Sequence, residues 1–135
     1  MSTEQILVEH DLRKTKVRVA VLETYLDKKV AISHPEMEAM HPDLDRVTLF
    51  RTLKTFEEKG IIHQAIDGTA ATKYALCHSD CSEHHHLDNH AHFHCTKCGD
   101  TTCLEHIVIP PVELPAGYQM GTSQLVMQGK CPKCN

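Results

Sequence analysis

Apolar positions in the first half of the chain recur at helical intervals, so this half is predicted to be mainly helical. A short helix is expected over residues 3–11, where Ile6 and Leu7 fall on one side. The next helix should run from about 16 to 28 and stop near Lys28-Lys29. Its apolar residues keep helical spacing throughout: Val17, Val21, Leu22, Tyr25 and Leu26.

A helix start signal follows at Ser33. Ser33 is an expected N-cap, Pro35 suits the first turn, and Glu36 stands at the capping-box spacing. The helix that begins there should end near Met40, before Pro42, because proline cannot continue a helix. Met37 and Met40 are expected to point inward.

The longest amphipathic run begins after Asp45, a second N-cap candidate, and ends at Gly60. Leu49, Leu53 and Phe56 form an apolar stripe that should be buried. The opposite face carries polar and basic residues and one aromatic ring: Arg46, Thr48, Phe50, Arg51 and Lys54. By itself such a face is as typical of a solvated surface as of a helix that reads DNA.

Two strand-like runs, 61–66 and 72–76, predict a β-hairpin around the loop Asp67-Gly68-Thr69. A series of helices followed by a hairpin is the element order of a winged helix-turn-helix. In that fold the third helix enters the major groove and the wing lies along the DNA backbone.

Two C-x-x-C pairs, at 95–98 and 131–134, are separated by 32 residues. Four thiolates at this spacing are typical of a tetrahedral zinc site. The alternative is a pair of disulfides. The odd total of 7 Cys and an N-terminus without a signal-peptide pattern disfavour it.

Composition narrows the class of protein further. The 135 residues suffice for one compact domain or two small ones, and no apolar run is long enough to span a membrane, so a cytoplasmic protein is expected. Aromatic residues make up only 4%, and in such a small core a structural metal contributes folding energy. The net charge of −4 argues against non-specific coating of nucleic acid but allows a local basic face.

Metal-ligating residues concentrate in the second half of the chain. Nine of the 12 His and all 7 Cys lie after Gly60. The first 76 residues carry 11 Lys and Arg against 12 Asp and Glu, whereas the remaining 59 carry 3 against 6. The chain therefore divides into a charge-mixed front and an acidic, ligand-rich back.

Several phrases resemble the ferric uptake regulator (Fur) family, in the family's order and over nearly the whole chain. Residues 12–15 (LRKT) with Arg18 resemble its opening, and 45–53 (DRVTLFRTL) continuing to 58–62 (EKGII) resemble its recognition helix. Residues 90–99 (HAHFHCTKCG) resemble its sensor strand and first zinc knuckle, and 129–134 (GKCPKC) resemble the second.

The resemblance implies a dimeric, metal-dependent transcriptional regulator of the α+β class, usually a repressor of metal homeostasis genes. It implies a winged-helix DNA-binding domain over 1–78, a His-rich hinge over 79–89, and an α/β dimerisation and zinc-binding domain over 90–135. The partners would be double-stranded operator DNA and a second copy of the chain. The structural zinc ligands would be Cys95, Cys98, Cys131 and Cys134. The DNA-binding residues would be Lys14, Arg18, Arg46, Thr48, Phe50, Arg51 and Lys54.

A second, exchangeable metal site is expected beside the first. Residues two apart on a strand share a face, so His90, His92 and His94 should point the same way, and His90 and His92 should form a chelating edge. The hairpin should bring His63 and Cys77 toward the hinge, and these four positions match the sensing site of the family's zinc uptake regulators. Cys103 is a further or alternative ligand.

Several residues depart from the family pattern, and these departures change the expected metal, one DNA contact and one helix. Ala31 and Ala75 stand where the iron-sensing pattern has a His and a carboxylate, and thiolate with imidazole suits Zn²⁺ better than Fe²⁺ or Mn²⁺. Phe50 stands where Tyr is usual, which keeps ring contact with a thymine methyl but loses a hydroxyl. Three prolines within 110–115 make a full helix there unfavourable.

Alternative functions remain open at this point. An iron- or peroxide-responsive regulator could use the same fold, and a zinc-storage or structural module could use the same cysteines. A zinc hydrolase is disfavoured because the chain has no H-E-x-x-H motif. His84, His85 and His86 are expected in a hinge loop or an accessory metal site, and Cys81 is a spare ligand or a redox-sensitive thiol.

Overall fold

The structure is a computed structural model that describes residues 2–76, 90–121 and 123–135. Four helices occupy the front of the chain: α1 (Thr3–Glu9), α2 (Lys16–Lys28), α3 (His34–Met40) and α4 (Arg46–Glu58). Two three-stranded sheets complete the fold. Among the described residues, no helix is both long enough and apolar enough to cross a membrane.

Each helix begins at a polar N-cap whose side chain accepts a hydrogen bond from the first turn. The caps are Ser2, Thr15, Ser33 and Asp45. The capping box predicted at Ser33 and Glu36 is present, because each side chain bonds the other residue's backbone N–H. The predicted helix starts are therefore confirmed, and with them the start of the basic-faced helix α4.

The helical core is formed by side chains that the apolar periodicity selected. Leu7, Leu22, Tyr25 and Phe56 are almost completely buried, and Leu49 and Leu53 pack against them. The prediction for Met40 was wrong: Met37 is fully buried, but 41% of Met40 is exposed. Met40 lies on the same side of α3 as Met37, but it is the last residue of the helix and lies beyond the edge of the core.

The first sheet contains β1 (Ile32–Ser33), β2 (Ile62–Ala65) and β3 (Lys73–Leu76) in the antiparallel order β1-β3-β2. The predicted hairpin is confirmed, with Ile62 paired to Leu76. Its turn is closed by the Asp67 side chain, which accepts bonds from the backbone N–H and hydroxyl of Thr69. Residues 61–76 are called the wing below.

The second sheet contains β4 (His90–Cys95), β5 (Thr101–Val108) and β6 (Leu125–Gly129). The central strand β4 pairs antiparallel with β5 and parallel with β6. No helix occurs in the described residues between β5 and β6, in agreement with the three prolines of this segment. The parallel pairing of β4 and β6 brings residues that are distant in sequence to the same end of the sheet.

The wing and the loop before β1 both contact the second sheet. The backbone N–H of Ala31 donates to the carbonyl of Thr101 at 2.7 Å, and the Lys73 ammonium donates to the carbonyl of Gly99 at 3.0 Å. The parts of the chain predicted as the DNA-binding and dimerisation domains are thus joined by direct hydrogen bonds.

Candidate metal centres and the candidate DNA-binding helix

The cysteines of the two C-x-x-C pairs converge at one end of the second sheet. Cys95 ends β4 and Cys98 lies in the turn after it, while Cys131 and Cys134 follow β6. Because Cys95 is paired with Gly129 across the parallel strands, both turns emerge at the same edge. The four Sγ atoms lie within 4.8 Å of one another, and we call this group the four-cysteine cluster.

The geometry of the four-cysteine cluster fits a zinc ion. A tetrahedron with Zn–S bonds of about 2.3 Å has S···S edges of about 3.8 Å. The Cys98 and Cys131 sulfurs are 3.8 Å apart. The described cysteines are all free thiols, so none of these sulfurs is taken up by a disulfide among them. Both the donor set and the spacing are therefore those of a structural zinc site.

Backbone N–H groups stabilise the thiolate form of Cys95, which is the form that binds metal. The N–H groups of Cys98 and Cys131 donate to Cys95 Sγ at 3.4 and 3.5 Å. These bonds lower the pKa of Cys95 to about 5, so this sulfur is a thiolate at neutral pH. Hydrogen bonding with Cys131 instead raises the pKa of Cys134 to about 12. Cys95 thus ionises before Cys134.

A second group of potential ligands lies between the wing and the second sheet. His63 comes from β2, His92 from β4 and Cys103 from β5, and their ligand atoms lie within 4.8 Å of one another. The Cys103 sulfur is 3.7 Å from His63 Nε2, and the two imidazole centroids are 6.1 Å apart. His63 and His92 are only 4% and 3% exposed. We call this group the His-Cys cluster.

The register of the second sheet explains why Cys103 belongs to this group. His92 and Cys103 are directly paired across β4 and β5, so their side chains project from the same face. Three of the five predicted sensing residues therefore come together. Cys77 lies outside the described residues. His90 starts β4, but the register shifts between His90 and Ala91, and its role as a ligand stays a prediction.

Small apolar residues surround the thiol of the His-Cys cluster. Ala31, Ala65 and Ala75 are buried and form a small core against which Cys103 packs. Ala31 and Ala75 hold the two positions that the iron-sensing pattern fills with ligands. No carboxylate joins the cluster among the described residues. Its donors are thus two imidazoles and one thiol.

A buried polar group joins the wing turn to the second sheet, and sequence reasoning missed it. Asp67 is 1% exposed and accepts hydrogen bonds from the hydroxyls of Thr69 and Thr101, each at 2.6 Å. Lys73 Nζ lies 3.6 Å and His94 Nδ1 lies 3.5 Å from the same carboxylate. We call Asp67, Thr69, Lys73, His94 and Thr101 the polar junction. His94, grouped with His90 and His92 by strand alternation, belongs here rather than with the His-Cys cluster.

The polar junction keeps Asp67 ionised. Burial by itself would raise the pKa of this carboxyl, but the hydrogen bonds from Thr101 and Thr69 and the charge of Lys73 outweigh it and lower the pKa to about 2. The Asp-Gly-Thr turn was a usable signal for Asp67. The positions of Lys73 and Thr101 depend on how the two sheets pack and had no local signal.

Most of the candidate DNA-binding residues are exposed on the helical half, whereas Arg18 is half-buried. Helix α4 buries Leu49, Thr52, Leu53 and Phe56 and exposes the predicted polar face. Thr52 was not on the predicted stripe; its hydroxyl donates to the Thr48 carbonyl, which allows it to be buried.

Several of these candidates are held by neighbouring groups. Arg46 Nε donates to Glu38 at 2.9 Å, and the Thr48 hydroxyl donates to Asp45 at 2.8 Å. Lys14 pairs with Glu4 at 2.6 Å, and an Arg18 guanidinium nitrogen donates to the Arg13 carbonyl. Phe50, Arg51 and Lys54 are exposed along α4. This face therefore combines cations with one exposed ring.

Comparison with known proteins shows similarity over most of the chain. The model of the family described as "Ferric uptake regulator family" matches residues 9–114. A ferric uptake regulation protein from Staphylococcus aureus is 29% identical over 96% of this chain and 93% of its own length. The peroxide operon regulator of Bacillus subtilis is 26% identical over 97% of this chain and 90% of its own.

Solved structures share the fold. The Vibrio cholerae ferric uptake regulator aligns with a TM-score of 0.61 at 20% identity, covering 96% of this chain and all of that one (100%). A zinc uptake regulator complexed with zinc and DNA aligns with a TM-score of 0.59 at 20% identity, covering 96% of this chain and 88% of that one. The predicted fold class, an N-terminal helix-turn-helix domain followed by a small α/β dimerisation domain, is confirmed.

Proposed function

Because the chain belongs to the ferric uptake regulator family of metal-responsive transcriptional regulators, we propose that it senses zinc and represses metal homeostasis genes. The observation that carries this proposal is the His-Cys cluster, which takes one residue from the wing and two from the second sheet. A metal held there links the part of the molecule that meets DNA to the part that we assign to dimerisation.

The donor set supports zinc as the sensed ion. Two imidazoles and a thiolate are borderline to soft ligands, and Zn²⁺ accepts them in a four-coordinate site. Ferrous and manganous ions favour carboxylate-rich shells of higher coordination number. Ala31 and Ala75 leave no such donors beside Cys103. Cys77 and His90 are the proposed sources of the remaining coordination.

The four-cysteine cluster is proposed to hold a second zinc ion with a structural role. Four thiolates close the coordination shell and leave no open position for chemistry. Bound there, zinc would supply a cross-link between the turn after β4 and the C-terminal segment after β6. The sheet would then hold β4, and with it His92, in a fixed position.

DNA contact is proposed for α4 and the basic segment before α2. Arg51 and Lys54, with Lys14 and Arg18 in support, would bind phosphates, whereas Thr48, Phe50 and Arg46 would face base edges. The ion pairs of Lys14 and Arg46 are exposed and weak, so phosphates can compete for both cations.

A homodimer is proposed because the second half exposes large apolar side chains. They lie at or beyond the end of β5: Ile107, Val112, Leu114, Tyr118 and Met120. Grouped exposed apolar residues mark an interface. Two copies would place two α4 helices on successive half-sites of operator DNA.

The mechanism follows from differential binding. His63 moves with the wing, whereas His92 and Cys103 move with the second sheet. A ligand shared by all three binds best in the orientation that brings the sheets together, so it raises the population of that orientation. We infer that this orientation sets the spacing of the two recognition helices.

Metal titration of DNA binding tests the proposal. Duplexes enriched from a random pool would be titrated with protein carrying structural zinc, while Zn²⁺, Fe²⁺ or Mn²⁺ is added at buffered concentrations. Zinc should promote binding at the lowest free concentration, and Cys77→Ser should abolish that response. A response to Fe²⁺ or Mn²⁺ alone would favour an iron or peroxide regulator, the kinds of protein that the two sequence relatives are named for. Failure to enrich any duplex would instead favour a zinc-storage or structural module as the function of the protein.

A further inference from the structure

The exposed ring of α4 has a specific neighbour that the proposed function does not use. Phe50 is 53% exposed, whereas the other aromatic residue of the helix, Phe56, is fully buried. The imidazole of His34 meets the Phe50 ring edge to face, with centroids 5.5 Å apart and planes inclined by 64°. This geometry is the favourable one for two aromatic rings.

His34 is held firmly in the backbone. It is the first residue of α3, directly after the N-cap Ser33 and directly before Pro35, whose ring fixes its own backbone angle. The capping box between Ser33 and Glu36 encloses His34. The backbone that carries the imidazole is thus constrained by the two capping hydrogen bonds and by the proline that follows it.

The imidazole contributes little to folding by its polar atoms. Its Nε2 atom is buried and has no hydrogen-bond partner among the described residues; it lies 3.5 Å from Glu38 Oε1. A buried polar atom without a hydrogen bond lowers stability. The imidazole therefore gains little from this atom, and its ring contact with Phe50 is the contact that reaches the exposed face of α4.

A groove beside the two rings shows what the contact prevents. The groove has a volume of about 420 Å³ and lies between α4 and the wing, and Phe50 and His34 both line it. Its other walls include the apolar side chains of Pro35, Leu53 and Tyr74. Without the imidazole, the Phe50 ring would have room to turn toward these side chains and bury itself, because burial of an aromatic ring is favourable.

We propose that His34 is a positioning residue that holds the Phe50 ring on the exposed face of α4, where it reads the methyl groups of operator thymines. Thymine is the base that presents a methyl group in the major groove. The inference rests on the proposed function, because it assumes that α4 enters that groove. Through Phe50, the start of α3 would contribute to the recognition of bases that α3 itself does not contact.

Glu38 extends the same support to a second DNA-facing residue. Its Oε1 atom accepts the hydrogen bond from Arg46 Nε at 2.9 Å and also lies 3.5 Å from His34 Nε2. One carboxylate of α3 therefore lies between the imidazole that orients Phe50 and the guanidinium at the start of α4. Its charge is balanced by Arg46, which limits repulsion of the DNA phosphates.

Replacing thymine by uracil tests the proposal, since it removes only the methyl group. The probe is a duplex enriched from a random pool by the zinc-loaded full-length protein, with each thymine replaced in turn by deoxyuridine. Wild-type protein should lose about fourfold in affinity at the contacted thymines, comparable to one buried methylene. His34→Ala should bind the thymine and uracil duplexes equally, and His34→Phe, which restores the ring edge, should regain the difference.

Matched variants separate positioning from folding. His41→Ala removes the histidine at the other end of α3, which contacts Thr24, and should keep the full thymine preference. Phe50→Ala should lose the preference, and adding His34→Ala to it should change nothing further, because the two residues act as a unit. Circular dichroism and zinc content confirm that each variant is folded.

Each outcome bears on one of two claims. A His34→Ala protein that keeps the wild-type thymine preference overturns the positioning role, and so does a wild-type protein that ignores the methyl groups at every position. Failure of the wild-type protein to enrich any duplex overturns the proposed function, and this inference with it.

Discussion

At the scale of single residues, Cys103 distinguishes the two proposed metal sites. It packs against buried alanines and lies 3.7 Å from His63, whereas Cys131 belongs to the four-cysteine cluster. From the sequence, Cys103 could be predicted only as a further or alternative ligand of the sensing site. The pairing of His92 with Cys103 is fixed by sheet register, which spacing along the chain does not determine.

We therefore expect Cys103→Ser to release the exchangeable zinc while the structural zinc stays bound. A serine fits the same space but is a poor zinc ligand, so affinity at this site should fall by more than about tenfold. Zinc per chain, measured after mild chelation and reloading, should drop by one. Cys131→Ser is the matched control, since it should lose the other zinc together with thermal stability. Full reloading of Cys103→Ser would remove this thiol from the sensing site.

Asp67 gives the protein a specific response to acid. Its pKa in the folded protein, about 2, is below the ordinary value of 3.8, so its contribution to stability is complete above about pH 5 and is lost as the pH falls toward 2. The contribution is on the order of 2 kcal/mol. The difference in unfolding free energy between wild type and Asp67→Asn should be constant from pH 5 to 7 and shrink below pH 4. Zinc loss in acid affects both proteins alike, so a difference that does not change with pH would contradict the assignment.

The polar junction could not be predicted from the sequence. Asp67 and Thr101 are 34 positions apart, and their hydrogen bond exists only because the wing packs on the second sheet. Strand alternation placed His94 with His90 and His92. Alternation fixes the face of a strand, but the other sheet determines which partners each side chain on that face meets.

At the scale of elements, the helices were the most predictable part. Their starts carry local signals, namely the caps at Ser33 and Asp45, and their apolar stripes repeat at helical spacing. The errors lie at positions where packing overrides the pattern. Met40 is exposed at a helix end, and Thr52 is buried because its hydroxyl bonds within the helix.

For α4 we expect Arg51→Ala to weaken binding to every duplex by a similar factor. A phosphate contact carries no sequence information, and its loss releases one fewer counterion. The slope of log affinity against log salt should become shallower by about one. Lys28→Ala, which removes an exposed cation in the last turn of α2, serves as the control and should leave the slope unchanged. An unaltered slope for Arg51→Ala would count against the phosphate role.

At the scale of the whole molecule, a helical half with a hairpin and a small α/β domain after it were foreseeable, but the third strand of each sheet and the contact between the sheets were not. The family resemblance supplied the order of the domains, and the prolines of 110–115 indicated correctly that no helix forms there in the described residues. The segment instead leaves apolar side chains exposed, among them Val112 at 62%.

If this segment forms the dimer interface, Val112→Asp should shift the protein toward monomer. Burial of a valine side chain contributes about 1.5–3 kcal/mol, so the dimer dissociation constant should rise by roughly tenfold or more. Sedimentation equilibrium measures the change directly. Val8→Asp offers a matched control, because Val8 is 74% exposed on α1, in the other half of the chain. An equal effect of both substitutions, or of neither, would place the interface elsewhere.

The hydrogen bonds across the polar junction also limit how far metal binding can raise the affinity for DNA. Asp67, Thr101 and Lys73 favour the same orientation of wing and second sheet as the proposed metal does, yet none of them is a proposed ligand. If these bonds already place about one molecule in ten in that orientation, metal can raise DNA affinity by roughly tenfold at most. The junction thus sets the dynamic range of the switch. A looser variant such as Thr101→Val would be less stable, but it would discriminate more sharply between metal starvation and sufficiency.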